Sequence, residues 1–201
     1  MAITTEMVKE LRGVTGAGVL DAKKALEQTD GNFDKAVDIL REKGAARAFK
    51  RADRAAKEGL VELYAHPGNR VGVMLELNCE TDFVGRTDGF RELAHNLALH
   101  IAAAAPRYLR AEDVPAAEIE RETAVLKAQA IAEGKPEAIA EKMVAGRISK
   151  YYEEICLLEQ PFVKDEKVKI KDMLTDAIRT TGENIMVRRF VRYQLGESLE
   201  D

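Results

Sequence analysis

The stretch Gly59-Leu60-Val61-Glu62-Leu63-Tyr64-Ala65-His66-Pro67-Gly68-Asn69-Arg70-Val71-Gly72-Val73-Met74-Leu75-Glu76-Leu77-Asn78 decides the fold. Val61, Leu63 and Ala65 stand at alternate positions, and Pro67-Gly68-Asn69 is turn chemistry. Beyond the turn, Val71, Val73, Leu75 and Leu77 alternate again, leaving Glu76 and Asn78 on the opposite side. Period two on both sides of a short turn predicts an antiparallel hairpin with one buried face.

Downstream, residues 79–86 read as a loop leading into a helix whose buried stripe is Phe90, Leu93, Ala94, Leu97 and Ile101. Two further helices are expected to start near Pro115 and Pro136, since proline suits a first helical turn. Val144, Ile148, Tyr151 and Ile155 keep helical spacing in the second, and Gln160-Pro161-Phe162-Val163 breaks it. Ile170–Thr181 reads as a short helix. Asn184–Leu195, rich in β-branched and aromatic residues, reads as a third strand, with Arg189 leaving its facing open. Three strands with helices on one side make a small antiparallel sheet. Its other face or its edge needs cover, and self-association is one way to supply it.

Upstream of the hairpin the period changes. Met7, Val8 and Leu11 mark a first helix, and Gly13-Val14-Thr15-Gly16-Ala17-Gly18 a glycine-rich turn. Val19, Ala22 and Leu26 mark a second helix that ends at Asp30-Gly31. Asn32 suits the N-cap of a third, in which Phe33, Ala36, Val37 and Leu40 share one face, and Lys43-Gly44 has the form of a stop. The fold class expected is α+β. A three-helix module spans residues 1–45, a basic helical linker 46–58, and a core with one sheet-and-helix unit 59–201.

Composition narrows the function. Of 201 residues, 46% are apolar and 33% charged, with a formal net charge of −4. That is a globular balance, and it argues against a surface that seeks nucleic acid throughout. Met1-Ala2-Ile3-Thr4-Thr5-Glu6 lacks the basic and apolar regions of a leader, and no apolar run approaches the ~20 residues that span a bilayer. A cytoplasmic location is therefore expected, with Cys79 and Cys156 as free thiols.

Enzyme signatures are weak. No lysine directly follows Gly18 and no strand precedes the glycines at 13, 16 and 18, so a turn is the better reading than a phosphate-binding loop. His66, His95 and His100 lack zinc-protease spacing, and Glu153-Glu154 reads as a solvated helical pair. No metal, cofactor or catalytic set can be named. The linker carries Arg47, Lys50, Arg51, Arg54 and Lys57, yet Phe49 is its one aromatic, whereas single-strand binders usually interleave aromatics with cations.

The segment Glu80-Thr81-Asp82-Phe83-Val84-Gly85-Arg86 is the most informative. Two readings of its residues stand. Either Phe83 folds back onto the core, with Thr81 and Asp82 as helix caps, or it protrudes as an anchor for a partner's pocket, beside an acid.

Asn78-Cys79-Glu80-Thr81-Asp82-Phe83-Val84 resembles the signature of the elongation factor Ts family. So does Leu11-Arg12-Gly13-Val14-Thr15-Gly16-Ala17-Gly18 with Asp21-Ala22-Lys23-Lys24-Ala25-Leu26. Ile139-Ala140-Glu141-Lys142-Met143-Val144-Ala145-Gly146-Arg147 and Gln160-Pro161-Phe162-Val163 follow in the family's order, so the resemblance covers nearly the whole chain. It implies a guanine nucleotide exchange factor that promotes GDP release from elongation factor Tu in translation, without covalent chemistry. It implies that the three-helix module resembles ubiquitin-associated (UBA) domains and meets the GTPase through Arg12, Val19 and Leu20. It implies that Thr81, Asp82, Phe83 and Val84 form the loop that disturbs the partner's magnesium and phosphate-loop region. Three departures follow. Val19-Leu20 replaces a common methionine pair. Gly85 replaces a common alanine, which is expected to loosen the loop's exit. One sheet-and-helix unit stands where long members have two, which implies a homodimer and a two-to-two complex. The alternatives are a ubiquitin-associated-like adaptor, or an RNA binder using the linker.

Overall fold

The computed structural model describes residues 3–134 and 136–198. Its helices are α1 (Thr5–Thr15), α2 (Val19–Gln28), α3 (Phe33–Arg51), α4 (Asp82–Gly85), α5 (Asp88–Ala104), α6 (Ala116–Ala132), α7 (Glu137–Ile155) and α8 (Ile170–Thr181). Its strands are β1 (Glu58–Ala65), β2 (Val71–Cys79), β3 (Pro161–Phe162), β4 (Asp165–Lys169) and β5 (Met186–Gln194). Contacts divide the chain into two units. One holds the residues up to Gly59 with Asn78–Phe90 and Met173–Met186, and the other holds Leu60–Leu77, Arg91–Asp172 and the residues from Val187 onward.

In the first unit, α1, α2 and α3 form the expected helical module. Free helix-end amides find side-chain acceptors: Met7 donates to Thr4 Oγ1 at 3.2 Å and Lys35 to Asn32 Oδ1 at 3.0 Å. Gly16 takes φ +57°, which lets its N–H close on the Arg12 carbonyl at 2.6 Å. Val8, Leu11, Ala22, Ala25, Leu26, Ala36 and Leu40 make the buried core.

Two helix ends differ from expectation. α1 continues through Gly13 to Thr15, and α3 runs past Lys43-Gly44 to Arg51. Gly44 is buried inside α3, and a Cβ there would lie 3.3 Å from Arg179 Cδ. Glycine serves close approach at that position. The side chains of Arg47 and Phe49 lie outside the described residues.

In the second unit, the sheet runs in the order β1-β2-β5. His66-Pro67-Gly68-Asn69 is a β-turn closed by Asn69 N–H to His66 O at 2.9 Å, with Gly68 at φ +89° supplying the left-handed position. Val73, Leu75 and Leu77 are buried as expected. On β1 the expectation fails. Leu63 is 70% exposed and Val61 is exposed too, whereas Leu60, Glu62 and Tyr64 are half-buried. Both rows of β1 carry apolar residues, so alternation alone does not choose the inner one. The choice is made by α5: His95 Nδ1 lies 3.0 Å from Glu62 Oε1 and its ring meets Tyr64 edge-on. At the far end of α5, Arg192 Nε donates to the Ala102 carbonyl at 3.3 Å.

The same unit contains a short hairpin, β3 with β4, that was absent from the sequence reading because the strands are too short to show a period. Pro115 and Pro136 sit at the N-caps of α6 and α7, one position before the first turn. Gln160 is buried with a purpose. Its Oε1 accepts from His100 Nε2 at 2.9 Å, and its Nε2 donates to the Glu154 carbonyl at 2.7 Å. His100 is fully buried, and its Nδ1 accepts the Val163 N–H at 3.3 Å, which fixes the neutral tautomer.

Burial holds the His100 pKa below the ordinary value of 6.5, against a smaller upward pull from Gln160. The unfolded chain therefore binds this proton before the folded one. The stabilising contribution is complete above pH 6.5 and declines as pH falls from there toward the folded value. Imidazole NMR is expected to show His100 neutral at pH 6.5, where an ordinary histidine is half protonated, and a half-protonated ring there would contradict the assignment.

Candidate functional site

The site is built where β2 ends. Asn78 and Cys79 are buried, and the chain turns outward through Glu80 into α4. Thr81 caps this single helical turn, accepting the Val84 N–H at 3.4 Å. Thr87 closes the exit, donating to the Val84 carbonyl at 2.8 Å and accepting the Phe90 N–H at 3.3 Å at the start of α5. Val84 and Gly85 are buried, and Gly85 lies against Gly59 and Cys79 of the same unit.

A second segment holds the loop from the other side. Glu183 Oε2 accepts the amides of Glu80 and Thr81 at 3.1 and 3.0 Å, and its Oε1 accepts the Thr81 hydroxyl at 2.6 Å. The exchange is reciprocal, because Asn184 donates its amide to Glu80 Oε1 at 2.6 Å. The Asn184 side chain donates to the carbonyls of Ala52 and Arg54 at 3.2 and 2.8 Å, and Arg54 pairs with Glu80 at 3.5 Å. Hydrogen bonds to ionised carboxylates contribute about 1.5–3 kcal/mol each where water is partly excluded. Two carboxylates crossing to opposite backbones therefore fix the loop more firmly than a turn alone. Gly182 at φ +78° makes the turn that delivers Glu183.

On this support Phe83 is 77% exposed. The ring is not folded back onto the core. Thr81 caps, as the other half of the folded-back reading allowed. Asp82 is exposed and pairs with Arg86 one turn on, at 2.9 Å. Gly85 does not leave the exit loose: a Cβ there would stand 3.3 Å from Gly59 Cα and 3.5 Å from Cys79 Sγ.

The residues marked on the helical module lie in the same unit. Arg12 donates from Nε to the Ala17 carbonyl at 3.1 Å. Leu20 is 73% exposed and Val19 is exposed beside it. Val14, in the last turn of α1, is a further exposed apolar residue that the sequence reading passed over as part of a glycine-rich turn.

Both thiols are buried and unbridged. Burial, reinforced by Glu183, pushes the Cys79 thiol up, and burial pushes Cys156 up to about 11, so neither is a nucleophile at neutral pH. Among the described residues no cluster of three or more His, Cys, Asp or Glu can hold a metal. No helix among them is long and apolar enough to cross a membrane. In the linker, Arg51 donates to the Ile178 carbonyl at 3.4 Å and Arg54 meets Glu80, so two of its cations are engaged within the unit.

A sequence-family model described as "Elongation factor TS" matches residues 5–197. The chain is similar to elongation factor Ts of Carboxydothermus hydrogenoformans, at 56% identity over 197 residues, covering 98% of this chain and 91% of that protein. It is 58% identical over 198 residues to elongation factor Ts of Desulfitobacterium hafniense, covering 98% of this chain and 91% of the relative. Elongation factor Ts of Thermotoga petrophila is 53% identical over 201 residues, covering 100% of both chains.

Proposed function

The chain belongs to the elongation factor Ts family, whose members exchange guanine nucleotide on elongation factor Tu in translation elongation, and we propose that it does so by offering the GTPase a preformed aromatic wedge, Phe83. The observation that carries this reading is an apolar ring exposed on a loop whose base, at Glu80 and Thr81, is hydrogen-bonded to Glu183.

The factor performs no covalent step of its own. It works by binding the nucleotide-free GTPase better than the loaded one, and the coupling is reciprocal: each ligand weakens the other by the same factor. A pocket that opens only as the partner's phosphate loop moves gives Phe83 burial that the closed state withholds. Only that difference between states drives release. Thr81 and Val84 hold the ring's base, and neither needs to touch the nucleotide. Asp82 brings negative charge beside the partner's magnesium region once Arg86 yields it. Arg12, Val19, Leu20 and Val14 form the second contact, on the helical module. The work is cytoplasmic and needs no cofactor or nucleic acid of its own.

The outward row of the sheet supports a second part of the reading. Val61, Leu63, Met74 and Tyr193 are exposed apolar residues on β1, β2 and β5. Leu63 and Tyr193 are each 70% exposed. A second copy of the chain covers this row, giving a homodimer that engages two GTPases. Light scattering is expected to give twice the chain mass for the wild type and the chain mass for Leu63→Lys with Tyr193→Lys. A monomeric wild type at tens of micromolar would contradict the dimer.

Stopped-flow release of fluorescent GDP from purified elongation factor Tu tests the exchange itself. The wild type is expected to accelerate release, and Phe83→Ala to lose about 30-fold, the equivalent of the ~2 kcal/mol typical of a buried aromatic anchor. Asp82→Asn is expected to lose less, with the loss varying with magnesium concentration. Equal acceleration by wild type and Phe83→Ala would remove the wedge, and a constant Asp82→Asn effect would remove the magnesium role. No acceleration by any form would remove the exchange reading.

A further inference from the structure

The segment that clamps the loop also grips the helical module. Arg179, in the last turn of α8, lies across the α1–α2 turn: a Cβ on Gly16 would meet its two terminal nitrogens at 3.0 and 3.1 Å. Its aliphatic stem lies over Gly44 of α3, and its side chain is 12% exposed. Nη2 bonds to Asp176, while Nη1 is buried with no hydrogen-bond partner among the described residues. An arginine held there gives up hydration and packs against two positions that carry no Cβ. Arg51 adds a second tie between the same parts, donating to the carbonyl of Ile178. Four residues after Arg179, Glu183 closes on Glu80 and Thr81.

We propose that Arg179–Asn184 is a gauge that sets the separation between the helical module's exposed turn and the Phe83 loop, with Arg179 and Glu183 as positioning residues. This rests on the exchange reading, in which both parts meet one GTPase. Two contacts on one rigid frame reinforce each other because the second forms at high effective concentration once the first is made. Releasing either grip frees the spacing, so releasing the other then adds little. Neither substitution removes a partner-facing side chain; each changes only how those side chains are placed.

The segment is local. Gly182 turns the chain, Thr181 Oγ1 accepts the Glu183 N–H at 3.3 Å, and Asn184 ties the far side to residues 52 and 54. Both ends of the gauge are therefore braced within the first unit. Glutamine at 183 keeps an oxygen for the two backbone amides and a polar group for the Thr81 hydroxyl, whereas alanine keeps neither.

The test is GDP release from elongation factor Tu by the full chain and its Arg179→Ala, Glu183→Ala, double and Glu183→Gln variants, with melting temperatures measured alongside. Each alanine variant is expected to lose about tenfold in efficiency, as displaced docking groups do. The double variant is expected to fall no more than about threefold below the weaker single, the signature of coupled sites. Glu183→Gln is expected within about threefold of the wild type. Losses that multiply to about a hundredfold in the double variant would overturn the gauge, since independent sites add in free energy. Single variants as active as the wild type would also overturn it, as would losses that simply follow melting temperature across the set. An inactive wild type would instead sink the exchange reading, and the gauge with it.

Discussion

The structure of the site depends on one exchange of carboxylates. Glu183 closes on the amides of Glu80 and Thr81, and Glu80 closes on the amide of Asn184. Without these bonds the amides of Glu80 and Thr81 would be left unpaired beside an exposed phenylalanine. With them, the amides of Glu80, Thr81 and Asn184 are each met by a carboxylate. An exposed aromatic costs little when its support is fixed elsewhere, and it stays available for burial against a partner. Val84 and Gly85, buried on the C-terminal side of the ring, complete that support.

Much of this was legible in the sequence, for reasons that can be named. The helical module shows itself through period and through Asn32, a residue whose side chain does its work within three positions. The β2 row Val73, Leu75 and Leu77 shows itself because one side of the strand is consistently apolar. The loop shows itself through the resemblance of residues 78–84 to the family signature, because its residue types alone leave Phe83 either folded back or protruding.

What was hidden depends on distant partners. Gly44 looked like a helix stop because the reason for glycine there, the stem of Arg179, comes from α8. The inner face of β1 could not be read because Leu60 and Tyr64 compete with Val61 and Leu63, and the balance is struck by His95 on another element. Glu183 carries no local mark at all. Its importance lies in three bonds made to residues about a hundred positions earlier. The same is true of Gln160, which a period analysis sees as a break and the structure reveals as the partner of His100. Local chemistry predicts where a site is, and long-range hydrogen bonding decides how it is held.

The central claim is that the loop is formed before the partner arrives. Backbone 15N relaxation of the free protein tests it most directly. If the carboxylate clamp sets the loop, the amides of Glu80, Thr81 and Val84 will have order parameters near the ~0.85 of rigid backbone. Values below about 0.6 at those amides, with β2 itself rigid, would show a loop that takes its shape only on docking, and would contradict the account.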